Sequence, residues 1–399
     1  MKRDFFRYLP LLIAIGILCG SVGFFSRAEF SGKEEISIPQ ESHATEQKEI
    51  KYTKSSEKDD ETLGVWVSYL SLDMSDTDRS ENAWKNRVTE IMKNIRESGA
   101  DTVVFHVRPF CDSIYKSDIF PTSHIITGKQ GAEITYDPLE IAVKTAREQG
   151  LKFHAWINPL RVSLKTVPET LAENNPYMLW KDSNKSSYTF AADGCIYLNP
   201  AYPEVRKRII DGAKEIIGRY EVDGLQIDDY FYPDGDSYDE KEYEDYCKNA
   251  GEVCLSKKEW RCENINMLVC GLYDAVHERK GCVFGISPQC NTDNDLKAGA
   301  DVFKWCSHKG YADYICPQLY VSIDHPTAPY GELADKWRKM TTCPDVKLYF
   351  GLALYKVGTD ADSGTWLDNE NMIDDEMETG REKGADGFML YSYEQLKSL

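Results

Sequence analysis

Residues 203–233 read PEVRKRIIDGAKEIIGRYEVDGLQIDDYFYP. Pro203 opens a long amphipathic helix that runs to Tyr220, because proline suits the first helical turn. The short apolar run at 224–228, GLQID, then reads as a strand. That strand ends on Asp228, with Asp229 starting the loop. A helix feeding a buried strand is the unit from which parallel α/β sheets are built.

Outward from this stretch the same unit recurs. Strands are expected at 63–69 (LGVWVSY), 102–107 (TVVFHV), 152–157 (KFHAWI), 224–228, 283–287, 314–320 (YICPQLY), 347–352 (KLYFGL) and 387–391 (GFMLY). Helices are expected between them, at 82–98, 138–149, 203–220, 258–279, 331–340 and 369–383. Asp137-Pro138 is an N-cap followed by a first-turn proline, and Gly99 and Gly150 are C-terminal stops. Eight strand–helix alternations in about 330 residues predict an α/β fold, a TIM (β/α)8 barrel. An open doubly wound sheet would want a glycine-rich phosphate loop after a strand, and neither GxGxxG nor a Walker sequence occurs. The chain stops soon after the eighth strand, so the last helix is expected to be short or missing.

Composition narrows the function. The chain has 399 residues, 42% apolar, which is ample for a packed core. Lys+Arg total 47 and Asp+Glu 66, a net charge of −19, so nucleic acid and anionic membrane surfaces would repel it. The 24 Tyr and 8 Trp suit a surface that stacks on sugars. Twelve Cys are too sparse for a disulfide scaffold, and none forms a CxxC pair. One or two disulfides among Cys247, Cys254, Cys262 and Cys270 are open, while Cys282 and Cys316 read as small core residues.

The chain divides into three. Within residues 1–29, Lys2, Arg3 and Arg7 precede an almost uncharged run from Tyr8 to Phe25, an export segment. It reads either as a signal peptide cleaved near Ser26-Arg27-Ala28 or as a retained N-terminal membrane anchor. Lipidation at Cys19 is the weaker reading, since Leu18 stands where a small residue is wanted. Residues 30–61 are too polar and charged to fold and form a disordered linker. Residues 62–399 form the barrel domain. The expected location is extracellular or at the cell surface, with membrane contact only through the N-terminal segment.

In a TIM barrel the chemistry sits where strands end and βα loops begin. Those ends are polar here: Arg108 and Asp112 after the second strand, Asn158 and Arg161 after the third, Asp228-Asp229-Tyr230 after the fourth. Gln289 and Asn291 follow the fifth, Gln318 and Tyr320 lie on the sixth, Tyr355-Lys356 follow the seventh, and Tyr391 to Glu394 close the eighth. The opposite strand starts show no such concentration. Alternation sends Leu225 and Ile227 toward the helices and Gln226 and Asp228 into the barrel. Two aspartates at one strand end can do acid/base work, because repulsion raises one pKa while the other stays ionised. Their bland alternative is capping of backbone N–H groups or cation binding.

Alternation also turns His106, with Arg108, and His154, with Asn158, inward. They read as a hydrogen-bonded polar layer under Asp228, or as half of a metal site. No HxxxH or HExxH spacing supports the metal. Trp66, Trp156 and Trp180 are candidates to stack on sugar rings or to fill the core. The acidic stretch at 234–239 lacks the glycine and glutamate of a calcium loop, and Asn184-Lys185-Ser186 is a sequon of the kind common by chance.

Several motifs in one order resemble the family 10 glycosyl hydrolase-like proteins, exported bacterial TIM-barrel proteins. They are HVRPFCDSIYKSDIFPTS (106–123), TGKQG (127–131), YDPLEIAVKTAREQGLKFHAWINPLRV (136–162) and YLNPAYPEVRKRIIDGAKEIIGRYEVDGLQIDDYFYP (197–233). EWRCENINMLV (259–269), VFGISP (283–288), DYICPQLY (313–320) and YFGLALYKVG (349–358) follow. The resemblance spans about 62–396 and implies glycosidase chemistry on polymeric carbohydrate, with cell-wall glycan favoured for some members. It places the family's polar strand-end positions on Arg108, Asp112, Asn158, Arg161, Asp228, Asp229, Gln318 and Lys356. The chain departs from the family at Cys262, where a second Arg is usual, and at Gln289-Cys290-Asn291, where an aromatic-rich stretch is usual.

The expected activity is hydrolysis of peptidoglycan sugar strands with Asp228 and Asp229 as catalytic residues. Arg108, Asp112, Asn158, Arg161, Gln318, Tyr320 and Lys356 are the expected substrate-binding residues. Neighbouring acids in other barrel hexosaminidases activate the substrate's own acetamide, and the analogy extends here. Direct displacement would need a second carboxylate from Asp112, Asp324 or Glu394. No cofactor, metal or obligate protein partner is expected. The alternatives are a metal-dependent deacetylase or amidase using His106, His154 and Asp228, and a non-catalytic glycan-binding protein.

Overall fold

The computed structural model describes residues 52, 61–165, 167–235, 237–367 and 369–396. The expected export segment and most of the expected linker lie outside them. Two linker residues are seen, and both are tied to the body. Tyr52 is buried and donates its backbone N–H to Ser98 O at 3.0 Å. Glu61 is buried and takes Arg381 in a two-pronged pair with both N–O distances at 2.9 Å.

In chain order the strands are β1 (Thr62–Val67), β2 (Thr102–Arg108), β3 (Lys152–Ile157), β4 (Arg161–Ser163), β5 (Thr189–Ala192), β6 (Cys195–Leu198), β7 (Gly224–Ile227), β8 (Val283–Ile286), β9 (Tyr314–Ile315), β10 (Lys347–Ala353) and β11 (Gly387–Tyr391). Eight of them close into a parallel barrel in the order β1-β11-β10-β9-β8-β7-β3-β2. The TIM barrel expected from the alternation is present. Its last helix is described over Tyr393–Leu396. β9 is also shorter than its apolar run, because Pro317 carries no N–H for the ladder. Gln318 recovers isolated bridges to Gln289 and Gly351 on its two sides.

The helix starts follow from the sequence. Asp137 caps Pro138–Glu148 by accepting from Leu139 N and Glu140 N. Ser80 caps Glu81–Glu97, and Ser256 with Glu259 forms a capping box on Lys257–His277. Outward-facing Leu63, Val65, Val103, Phe105, Phe153, Leu225, Ile227 and Phe284 pack against these helices in the main core. Inward-facing Trp66, Val104, Trp156, Tyr314, Cys316, Tyr349 and Met389 form a second cluster that fills the barrel.

Two insertions were not legible as such. β4, β6 and β5 form a small antiparallel sheet between β3 and the helix Pro203–Arg219. Its β5–β6 hairpin turns on Asp193-Gly194, both with positive φ, the chemistry of a primed two-residue turn. After β7, Glu240–Ala250 adds a helix, and Cys247–Cys254 is the one disulfide among the described residues. The loop before that helix is held by Asp239, which is buried and accepts from Arg261 Nε and Nη2 at 2.7 Å each. That leaves Cys262 and Cys270 as free thiols.

Glu376, on the helix Met372–Glu382, is fully buried and neither carboxyl oxygen has a partner among the described residues. Burial pushes it well above the ordinary carboxylate range. A group raised in the folded state costs nothing below its unfolded pKa and costs progressively more as pH rises above it. Glu376→Met is therefore expected to raise the melting temperature at pH 8 by about 2–5 °C, from about 1–3 kcal/mol of relieved desolvation. The gain should shrink toward pH 4. Melts across that range check it, and an unchanged or lowered midpoint at pH 8 would contradict it.

Candidate active site

The mouth of the barrel is built on β3 and β7. The two strands pair with Trp156 opposite Gln226 and Ile157 opposite Ile227, so Asn158 and Asp228 emerge side by side. Asp228 points inward as alternation requires and is buried. Its Oδ2 accepts from Trp156 Nε1 at 3.0 Å and also from Asn158 Nδ2. Its Oδ1 has a long contact from Tyr230 N at 3.4 Å. Asp229 is only half-buried, and its Oδ1 accepts from Gln318 Nε2 at 3.0 Å.

Burial, then the neighbouring Asp229 carboxylate, pushes Asp228 up to about 7, against the opposing pull of Arg161 and its N–H donors. Burial also raises Asp229, while Gln318 and Gln289 favour its ionised form. Two carboxyls this close titrate as a pair, and one proton between them persists near neutral pH. Gln289 itself is placed by Asp295, whose Oδ1 accepts from Gln289 N at 2.9 Å. Asp295 is buried and held well above the carboxylate range, first by burial and further by Asp229.

Asn158 links the pair to its surroundings. Its Oδ1 accepts from His106 Nε2 at 2.8 Å and Arg161 Nη2 at 2.5 Å. Arg161 also donates Nε to Pro109 O at 3.1 Å and lies 4.4 Å over the Tyr230 ring. Half-buried Tyr69, Tyr230, Tyr355 and Tyr391 line the opening. Tyr320 packs among them, its ring 5.9 Å from Tyr355 and 5.8 Å from Tyr391.

Of the expected site residues, Asp228, Asp229, Asn158, Arg161, Gln318 and Tyr320 come together. Three do not face the mouth. Arg108 was expected inward beside His106, but β2 carries a register shift there: His106 pairs with Trp156 and Arg108 with the next residue, Ile157. The extra residue turns Arg108 to the outer face, where it lies 4.5 Å over Phe120 beneath Gly212 of the helix Pro203–Arg219. Asp112 is fully buried in the loop after β2 and accepts from Gln130 Nε2 at 3.0 Å. Lys356 supports the mouth from behind: its Nζ donates to Tyr320 O at 2.7 Å and to Asp362 Oδ1 at 3.0 Å.

The proposed second carboxylates stand apart too. Asp324 is exposed, and Glu394 is occupied by Ser68 Oγ at 2.8 Å and by Ser71 and Ser392. The histidines divide between two hydrogen-bond sets, His106 on Asn158 and His154 Nδ1 on Tyr314 OH at 2.9 Å. Among the described residues no three His, Cys, Asp or Glu converge as metal ligands. Tyr69 and Asp295 were missed by sequence reasoning. Tyr69 lies just past β1, while nothing local marks Asp295, whose partner Gln289 sits on the preceding loop.

Residues 61–368 match the model of the family described as glycosyl hydrolase-like 10. The chain belongs to that family. Among its relatives, the glycosyl hydrolase YngK of Bacillus subtilis strain 168 is 31% identical over 348 residues, 81% of this chain and 66% of YngK. The glycosyl hydrolase DigH of Escherichia coli K12 is 31% identical over 313 residues, 73% of this chain and 71% of DigH. The chain thus spans about two thirds of the length of these relatives. Among solved structures, the glycoside hydrolase domain of PgaB (BpsB) from Bordetella bronchiseptica superposes with a TM-score of 0.57 at 12% identity, covering 85% of this chain and 95% of that one. The α-L-fucosidase isoenzyme 2 of Paenibacillus thiaminolyticus gives 0.54 at 10% identity, covering 84% and 48%. As a glycosyl hydrolase-like 10 protein the chain shares the barrel of glycoside hydrolases. Its own Gln289-Cys290-Asn291 departure falls beside Asp229, where Gln289 is one of the groups favouring that carboxylate.

Proposed function

We propose that this chain is an exported glycoside hydrolase that cuts the sugar strands of peptidoglycan. The observation that carries the reading is the coupled pair Asp228–Asp229 at the floor of a tyrosine-lined opening. Asp228 holds the shared proton and gives it to the bridging oxygen as the C1–O bond breaks. The acetamide oxygen of an N-acetyl sugar closes on C1, and Asp229, steadied by Gln318 and Gln289, stabilises the positive charge that develops on the acetamide. Water then opens this intermediate, leaving its hydroxyl on C1 and returning a proton to Asp228. Arg161 and Asn158 hold the acid in place, and Tyr69, Tyr230, Tyr320, Tyr355 and Tyr391 supply faces for sugar rings.

Export rests on the basic-then-apolar order of residues 2–25. No helix among the described residues is long and apolar enough to cross a membrane. The function is tested by digesting peptidoglycan, with and without its stem peptides, and measuring new reducing ends. Their appearance is expected. None on either substrate would overturn the reading.

A further inference from the structure

We infer that His106 is a positioning residue for Asp228: its Nε2–H fixes the amide of Asn158, and the fixed amide leaves Oδ1 as the oxygen of Asp228 that carries the proton. The inference rests on the hydrolase reading above and deepens it. It starts from which atoms can only donate. Asn158 Oδ1 faces His106 Nε2 at 2.8 Å and Arg161 Nη2 at 2.5 Å. A guanidinium has no acceptor, so that end of the amide must be the oxygen. The Nδ2 end then faces Asp228 Oδ2. Trp156 Nε1, a donor only, reaches the same oxygen at 3.0 Å. A hydrogen on Oδ2 would meet two N–H groups head on. The proton therefore resides on Oδ1, whose one protein contact among the described residues is Tyr230 N at 3.4 Å.

The tautomer of His106 follows in the same way. Its Nε2 faces a carbonyl oxygen, so Nε2 carries the hydrogen. Its Nδ1 is buried with no partner among the described residues, so a second proton there would find no acceptor among them. Stacking on Trp156, with centroids 3.6 Å apart and planes at 11°, holds the plane of the ring. The groups that face it are the Tyr69 ring at 5.8 Å from the β1 side, Asn158 and Arg161 after β3, and, through Asn158, Asp228 after β7. Among the described residues no carboxylate bonds it directly. Without the His106 donor, Asn158 Oδ1 keeps only Arg161 Nη2, and the amide is free to tilt its Nδ2–H off Asp228 Oδ2. The hydrogen bond that keeps the proton off Oδ2 then weakens, and the proton is no longer confined to Oδ1.

The test separates this positioning from packing. His106→Phe keeps a flat ring on Trp156 and removes the donor, while His106→Gln restores an N–H within reach of Asn158. The readout is the titration of Asp228, followed by NMR on carboxyl-labelled aspartate and assigned with Asp228→Asn. It needs no turnover, so it stands even if the chain cuts no glycan. In His106→Phe the Asp228 titration is expected to move up by about one pH unit, as the N–H that favours the ionised carboxylate is loosened. His106→Gln should stay near wild type. An unmoved titration in His106→Phe, or equal shifts in both variants, would overturn the proposal. Should His106→Phe fail to fold, the imidazole nitrogens of the wild type decide: a neutral Nε2–H ring at pH 6–7 supports it, and Nδ1–H or an imidazolium sinks it.

Discussion

Asp228→Asn is expected to lower glycan cleavage by on the order of 10³-fold, the usual weight of a general acid, while making the protein harder to melt at pH 8. Both effects have one cause. Asp228 lies at about 7 in the fold against an ordinary 3.8. A carboxyl raised in the folded state favours folding least where it must ionise. Its cost is absent below about pH 4, grows as pH rises toward 7, and is complete above that. The asparagine carries no charge at any pH and can still accept from Trp156 and Asn158. Removing the cost is worth a few kcal/mol, on the order of 3, or about 5 °C in a domain of this size. The gap in midpoint between variant and wild type should therefore widen between pH 4.5 and pH 8. Release of reducing ends and paired melts check the two halves. A variant that still cuts within about tenfold of wild type would remove the pair from the chemistry. A wild type that binds glycan and never cuts it, with binding unchanged in Asp228→Asn, would make the protein a glycan-binding one.

Gly285→Ala is expected to be the most damaging single methyl group in the barrel. Gly285 on β8 sits directly beside Tyr314 on β9. A Cβ there would fall 1.9 Å from Tyr314 Cζ and 2.4 Å from its hydroxyl. The ring cannot retreat, because its hydroxyl meets His154 Nδ1 at 2.9 Å and Gln226 Nε2 at 3.3 Å, and Tyr349 lies 4.8 Å away. Overpacking with no escape costs about 3 kcal/mol or more. The expected result is a large drop in the urea midpoint, or no soluble protein at 37 °C. Tyr314→Val opens the space, so adding Gly285→Ala on that background should cost little. That non-additivity is the decisive measurement. A Gly285→Ala protein with the wild-type midpoint would show that the ring moves freely.

The fold was legible because burial on both faces leaves a simple mark, short apolar runs alternating with amphipathic ones. Strand ends were legible too, since polar residues cluster there on one side only. What escaped depended on single irregularities. One extra residue in β2 reversed Arg108, and periodicity has no term for a bulge. Pro317 cut β9 short while its neighbours stayed apolar. Asp112 and Lys356 are charged residues at strand ends, as a binding site would have, yet Asp112 organises its own loop and Lys356 braces Tyr320 from behind. A sequence marks which side chains are polar near the mouth, and only packing decides which of them meet a ligand. Asp295 reaches the site through the backbone of Gln289, a route with no local signature.

Beneath the acids, Trp66 Nε1 bonds Gln226 Oε1 at 2.6 Å, Gln226 reaches Tyr314, and Tyr314 reaches His154, a stopper of aromatic rings sewn together by hydrogen bonds. The barrel is thus a well with a sealed bottom. On the hydrolase reading, attacking water has no back door and enters only by the opening that the departing sugar has just vacated. Any small alcohol in the medium shares that entrance, so methanol or glycerol at high concentration should be captured as glycosides in competition with water.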